Sequence, residues 1–122
     1  MSGIEVAVST QYLPDQSEPD AEHYAFAYTI TIANRGSEPG QLLNRHWLIT
    51  DATGHTEEVR GPGVVGEQPR LGPGEAYSYT SGAVLKTPVG AMEGSYEFVR
   101  DDQTPFQVPI PVFSLSVPNM VH

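Results

Sequence analysis

Apolar and polar residues alternate with a period of two along most of this chain. The clearest stretch is Tyr24–Asn34, where aromatic and β-branched side chains share one face and alanines and threonines share the other. Side chains alternate between two faces in a β-strand, so this stretch is predicted to be a strand. The same period predicts further strands over residues 4–12, 41–51, 55–60, 75–81, 92–99 and 106–117.

The segments between these strands are rich in turn-forming residues, in keeping with the 12 glycines and 11 prolines of the chain. Residues 13–23 hold two prolines and four carboxylates, which predicts an exposed loop. Residues 61–74 hold five glycines and three prolines, which predicts a long loop. Short strands joined by such turns predict an all-β, immunoglobulin-like or fibronectin type III-like β-sandwich of about seven or eight strands, formed by one domain over residues 1–122.

Two aromatic side chains are expected between the two layers of this sandwich. Trp47 lies in the middle of the third strand, where immunoglobulin-like domains keep a core tryptophan. Residues 94–98 resemble a tyrosine corner, in which the Tyr96 hydroxyl would bond to backbone. In the last strand the apolar set changes parity near Pro109 and Pro111, which predicts an edge position or a bulge.

The third strand has apolar residues on both faces. Leu43, Trp47 and Ile49 share one face, and Leu42 and Leu48 occupy the other. This pattern predicts a central strand or a surface that meets another molecule. We therefore take Leu42 and Leu48 as a candidate protein-binding surface, with the alternative that a second sheet or a loop covers them.

Composition narrows the classes of function and of compartment. Six basic and fifteen acidic side chains give a net charge of −9, which argues against binding to nucleic acid or to an anionic membrane. The chain has no cysteine, its first residues do not resemble a signal peptide, and no apolar run approaches the ~20 residues of a membrane-spanning helix. We therefore expect a cytoplasmic protein without membrane insertion.

Residues suited to catalysis or metal binding are scattered through the sequence. The four histidines lie in separate segments and lack the spacing of a zinc site. Glu57 and Glu58 are predicted on opposite faces of a strand, so they cannot act as an acid and base pair. No G-x-S-x-G motif surrounds any serine. The four histidines are His23, His46, His55 and His122. We expect no enzymatic activity, no metal site and no cofactor.

One motif suggests a ligand. Residues 61–66 read G-x-G-x-x-G, but Glu67-Gln68-Pro69 follows at once, so no helix of the dinucleotide-binding kind can begin there. Backbone amides of this loop can still bind a small anion, with help from Arg60 and Arg45. The alternative is a structural loop whose glycines supply positive φ, with Val64 and Val65 closing the core. The candidate anion-binding residues are Arg45, Arg60, Gly61, Gly63 and Gly66.

Several segments together resemble the bacterial ApaG family. They are residues 45–50, 59–69, 71–75, 79–82, 87–96 and 110–115, so the resemblance extends over nearly the whole chain. One departure is visible in the turn before the last strand. The family often has a glycine there, whereas this chain has Asp101-Asp102-Gln103-Thr104.

The resemblance implies a fibronectin type III-like or immunoglobulin-like sandwich with no established enzymatic activity. It implies a genetic link to cobalt resistance and magnesium efflux, and a gene often next to a diadenosine tetraphosphate hydrolase. Related domains occur in F-box substrate receptors and in a polymerase-interacting protein, which favours a protein-binding module with an unknown partner or a second copy in a homodimer. The alternative is a binder of pyrophosphate or a dinucleoside polyphosphate through Gly61–Gly66.

Overall fold

A computed structural model describes residues 2–118 of the chain. Met1 and residues 119–122, which include His122, lie outside the described residues. None of the helices within residues 2–118 has the length and apolar character needed to cross a membrane.

Eight strands form two antiparallel sheets, which confirms the predicted all-β sandwich. The strands are β1 (Ile4–Tyr12), β2 (Tyr24–Asn34), β3 (Gly40–Asp51), β4 (Thr56–Pro62), β5 (Arg70–Leu71), β6 (Ala76–Leu85), β7 (Val89–Val99) and β8 (Pro105–Ser116). One sheet has the order β1-β2-β6, and the other has the order β4-β3-β7-β8 with β5 paired to β3. Two short 3₁₀ turns, Pro14–Gln16 and Pro19–Ala21, lie in the loop between β1 and β2.

The core lies between the inner faces of the two sheets. Trp47 is buried there in edge-on contact with three other rings, and Tyr96 is fully buried, as the sequence predicts. The ring centroid of Trp47 lies 5.5 Å from that of Tyr28 and 5.8 Å from that of Phe113. Edge-on aromatic pairs add to the burial of apolar area, so this cluster joins the two sheets.

Tyr96 does not form a tyrosine corner, so that prediction is wrong. Its hydroxyl lies 2.5 Å from the hydroxyl of Tyr79, which projects from β6 in the opposite sheet. Both side chains are buried, so a hydroxyl without a hydrogen-bond partner would cost free energy. Each of the two hydroxyls is the hydrogen-bond partner of the other.

The Tyr79–Tyr96 pair predicts that stability falls at alkaline pH. Burial raises the pKa of Tyr79 from 10.0 to about 12 and also raises the pKa of Tyr96. Since the neutral phenol is favoured in the folded state, its stabilising effect is complete below pH 10 and is lost as the pH approaches 12. Urea denaturation is expected to show an unfolding free energy about 2 kcal/mol lower at pH 12 than at pH 10 from Tyr79 alone. A smaller fall is expected in Tyr79→Phe, and equal falls in both proteins would contradict this assignment.

The predicted change of parity in the last strand is confirmed. Met92 of β7 pairs with Phe113, whereas Gly94 pairs with Ile110, so β8 contains a bulge between these positions. In the turn before β8, Gln103 has a φ of 72°, the left-handed region that glycine adopts most easily. This turn, in which the ApaG family often has a glycine, therefore contains a backbone conformation that favours glycine.

The predicted long loop over residues 61–74 is wrong in part. Strand β4 continues through Gly61 to Pro62, and Arg70–Leu71 forms the short strand β5. An edge strand tolerates glycine and proline near its end, which composition alone does not reveal. Only residues 63–69 and 72–75 connect the strands of this region.

Candidate functional site

The G-x-G-x-x-G motif forms a two-residue hairpin turn. The amide of Val64 donates to the carbonyl of Glu67 at 2.8 Å, and the amide of Glu67 donates back at 2.9 Å. The two residues between them, Val65 and Gly66, have φ values of 43° and 82°. Positive φ at both central residues is the geometry of a type I′ turn, so Gly66 supplies a backbone conformation that the turn requires. Val64 is buried as predicted, whereas Val65 is exposed and does not close the core.

Arg45 clamps this hairpin to the sheet. Its Nη1 donates to the carbonyls of Pro62 at 2.8 Å and of Gly63 at 2.9 Å. A Cβ on Gly61 would lie 3.1 Å from the Arg45 guanidinium, so glycine lets that side chain lie flat across β4. Gly63 has a φ of 62° and donates to the carbonyl of Leu43 at 2.8 Å. These contacts have a structural role in holding the hairpin.

The candidate anion-binding residues are only partly brought together. The amides of Gly63, Val64 and Glu67 are already bonded to carbonyls, and within residues 2–118 those of Val65 and Gly66 have no backbone acceptor. Cross-strand pairing places Arg45 opposite Gly61 and Arg60 opposite His46. Because successive residues of a strand point to opposite faces, the two arginine side chains leave the sheet on opposite sides. Arg45, Arg60 and Gly61 nevertheless all line one open depression at this end of β4. Anion binding at this loop therefore stays a prediction from the sequence.

Substitution of Val65 is expected to stabilise the folded protein. A β-branched residue is strained at its φ of 43°, whereas asparagine tolerates this region. Val65→Asn is therefore expected to raise the free energy of unfolding by about 1 kcal/mol in urea denaturation. Val112→Asn is the matched control, because Val112 is also an exposed valine but lies in strand β8. Equal effects of the two substitutions would show that backbone strain at Val65 is not the cause.

The prediction that Leu42 shares an outer face with Leu48 is wrong. Leu42 has 0% of its surface exposed and belongs to the core. The pairing of β3 with β7 shifts register between Leu42 and Asn44, so a bulge reverses the parity of the strand there. Leu42 thus faces inward like Trp47, and only Leu48 stays on the outer face.

Leu48 lies in an apolar patch on the outer face of the five-stranded sheet. It lines an open depression of about 420 Å³ together with Pro111 and Val112 of β8. Val112 is 62% exposed, the largest exposure among the large hydrophobic side chains of the described residues. We call Leu48, Pro111 and Val112 the outer patch. The sequence indicated the bulge in β8 as a change of parity. It did not indicate that Pro111 and Val112 would lie beside Leu48 on this face.

The neighbouring part of the same face is polar. A second open depression of about 500 Å³ includes Asn44, His46, Arg60 and Glu97 among its lining residues. His46 Nε2 lies 2.9 Å from Glu58 Oε2, and Asn44 donates to Glu97 at 2.6 Å. The hydrogen bond from His46, with help from Arg60, lowers the pKa of Glu58. These groups are paired with one another, and residues 2–118 contain no cluster of three or more His, Asp or Glu side chains suited to a metal ion.

Comparison with known proteins identifies close relatives. The family model of the ApaG domain matches residues 14–100. "Protein ApaG" of Acidithiobacillus ferrooxidans is 57% identical over 98% of this chain and 94% of its own length. "Protein ApaG" of Pseudomonas aeruginosa is 56% identical over the same shares. The crystal structure of the putative ApaA protein from Bordetella pertussis superposes with a TM-score of 0.93 at 50% identity, over 96% of this chain and 95% of that one.

Proposed function

This chain belongs to the ApaG family, and from that premise we propose that it is a non-catalytic module that binds another protein through the outer patch. The names of its relatives state no catalytic activity. The observation that supports protein binding most directly is that exposed Pro111 and Val112 and half-buried Leu48 line one depression on a sheet face, with Glu93 of β7 between them. Exposed apolar patches with a polar rim are typical of interaction sites.

The surroundings of the outer patch indicate what kind of partner fits it. Burying a leucine or valine side chain contributes about 1.5 to 3 kcal/mol, so three apolar residues can anchor a modest interface. Glu93 pairs with Leu48 across the strands, and Glu58 and Glu97 lie on the same face. With a net charge of −9 in the chain, the expected partner surface has an apolar centre and lysine or arginine at its margin.

Capture of binding proteins from a bacterial lysate tests this proposal when the unchanged protein is compared with variants in and beside the patch. Leu48→Asp places a charge in the centre of the patch, and Thr50→Asp places the same charge two residues further along the same face. We expect a partner that the unchanged protein and Thr50→Asp retain and that Leu48→Asp retains at least tenfold less. A set of captured proteins that is the same for all three chains would contradict the proposal.

Small-anion binding remains the second candidate, supported by the two amides of Val65 and Gly66 that have no backbone acceptor within residues 2–118. The ligand would be pyrophosphate or a dinucleoside polyphosphate. Titration with pyrophosphate should then move the amide resonances of residues 61–66, with the largest changes at Val65 and Gly66. No movement at millimolar pyrophosphate would discard this candidate.

The cellular setting follows from the same proposal. The relatives are bacterial proteins, and a chain without cysteine suits a reducing compartment, so we place its action in the cytoplasm. The family link to cobalt resistance and magnesium efflux would then act through the bound partner. Direct metal binding predicts instead that Mg²⁺ or Co²⁺ raises the melting temperature of the purified protein.

A further inference from the structure

Strand β4 is an edge strand that is open to a further strand. Within residues 2–118 it pairs only with β3, and the pairing continues without a register shift. At the other edge of the same sheet, β8 has prolines at positions 105, 109 and 111 as well as a bulge. Prolines and bulges block pairing with another strand. In β4 the only proline is Pro62 at its end, so β4 is the edge that can accept a partner strand.

Backbone hydrogen bonds show which residues of β4 are available. The amide of Asp51 donates to the carbonyl of His55, and the amide of Gly63 donates to the carbonyl of Leu43. In an antiparallel pair, residues that bond to the neighbouring strand alternate with residues whose N–H and C=O groups point away. The odd-numbered residues of β4 therefore bond to β3. The backbone groups that point away from the sheet belong to Thr56, Glu58 and Arg60.

A cleft lies directly beside this edge. The opposing sheet has only three strands, so β4 extends past it and Val59, on the inner face, is 37% exposed. The cleft has a volume of about 340 Å³ and lies between the β3–β4 hairpin and β6. Its apolar lining residues are Ala21, Ile49, Val84 and Leu85. A strand added to β4 would place every second side chain over this cleft.

The charges around the cleft indicate the chemistry of the added strand. Carboxylates from Glu22, Asp51 and Glu57 line the cleft, and the lining also contains Lys86 and two histidines. Three carboxylates facing one lysine favour a partner with positive charge. The Asp51 carboxylate accepts hydrogen bonds from the hydroxyl and amide of Thr53 and from the amide of His55, and these bonds lower the pKa of Asp51.

We propose that β4 binds an extended segment of a partner protein as an additional strand, with apolar and lysine or arginine side chains over the cleft beside Val59 and Glu57. Main-chain hydrogen bonds to Thr56, Glu58 and Arg60 supply affinity, and the cleft supplies specificity, as in other cases of strand addition. This inference rests on the proposed function only in that the partner is a protein. It uses the backbone edge of β4 and the cleft on the inner side, whereas the outer patch lies on the outer face, where Leu48 pairs with Glu58.

A random ten-residue peptide display library, selected against the full-length immobilised protein, tests the proposal. We expect enrichment of peptides that contain apolar residues and lysine or arginine. Glu58→Pro removes the central outward N–H, and Glu58→Ala removes the same side chain but keeps that N–H. The enriched peptides should bind Glu58→Pro at least tenfold more weakly and Glu58→Ala within about twofold of the unchanged protein. Glu57→Lys leaves the backbone intact and should weaken binding by a similar factor through charge.

The outcomes separate this inference from the proposed function. Val112→Asp, in the outer patch but on β8 at the opposite edge of the sheet, should leave peptide binding unchanged. The amides of Thr56, Glu58 and Arg60 should exchange hydrogen more slowly when peptide is bound. Enriched peptides that bind Glu58→Pro and Glu57→Lys as tightly as the unchanged protein would overturn the inference. So would a library that yields acidic peptides or no peptide above background. None of these results would decide whether the outer patch binds a protein.

Discussion

Trp47→Ala is expected to lower the free energy of unfolding by about 4 kcal/mol. Trp47 is 3% exposed and contacts the rings of Tyr28, Tyr96 and Phe113, so its removal leaves a cavity at the centre of the sandwich. A loss of this size is a large part of the 5 to 15 kcal/mol typical of a domain. Urea denaturation followed by circular dichroism measures it.

Leu48→Ala is the matched control for Trp47→Ala. Leu48 is the next residue of the same strand and points to the outer face, where it is only partly buried. Its truncation should cost below about 1 kcal/mol. If both substitutions cost the same, Trp47 would not be the residue that joins the sheets.

Gly94→Ala is expected to cost about 3 kcal/mol, the upper part of the usual range for overpacking. Strands β3 and β7 approach closely at this point, and a Cβ on Gly94 would lie 2.0 Å from the carbonyl oxygen of His46. Since the obstructing atom belongs to the backbone of the central strand, one of the two strands has to move. Thermal and urea denaturation should both show the loss.

Gly82→Ala tests whether the loss at Gly94 comes from close approach and not from glycine as such. Gly82 also lies within a strand, but a Cβ there would meet its nearest atom, the carbonyl oxygen of Phe26, at an ordinary 3.5 Å. We expect a change of at most a few tenths of a kcal/mol, or a small gain from reduced freedom of the unfolded chain. A loss at Gly82 equal to that at Gly94 would contradict the explanation.

Much of the fold could be predicted because period-two patterning decides which side chains are buried. The pattern over Tyr24–Asn34 places Ile30 and Ile32 inward, and both are fully buried. The pattern fails where a bulge changes parity. It predicts Leu42 on the outer face, whereas the register shift beside Leu42 turns that side chain inward. A bulge depends on the fit between two strands, which one strand's pattern does not contain.

The candidate site could be predicted less well. The glycine motif predicts either a nest for an anion or a structural turn, and only the positive φ of Val65 and the mutual hydrogen bonds of Val64 and Glu67 reveal a hairpin. The outer patch combines Leu48 of β3 with Pro111 and Val112 of β8. These strands are not paired with each other, so their proximity follows from sheet order, which the sequence alone did not provide.

The most direct test of protein binding at the outer patch is photo-crosslinking inside living bacteria. A benzophenone amino acid at position 112 lies in the outer patch, and the same amino acid at position 29 lies in β2, on the outer face of the opposite sheet. The proposal predicts one discrete crosslinked protein from position 112, which disappears with Leu48→Asp, and no such product from position 29. No crosslinked protein at position 112, or the same products from both positions, would contradict it.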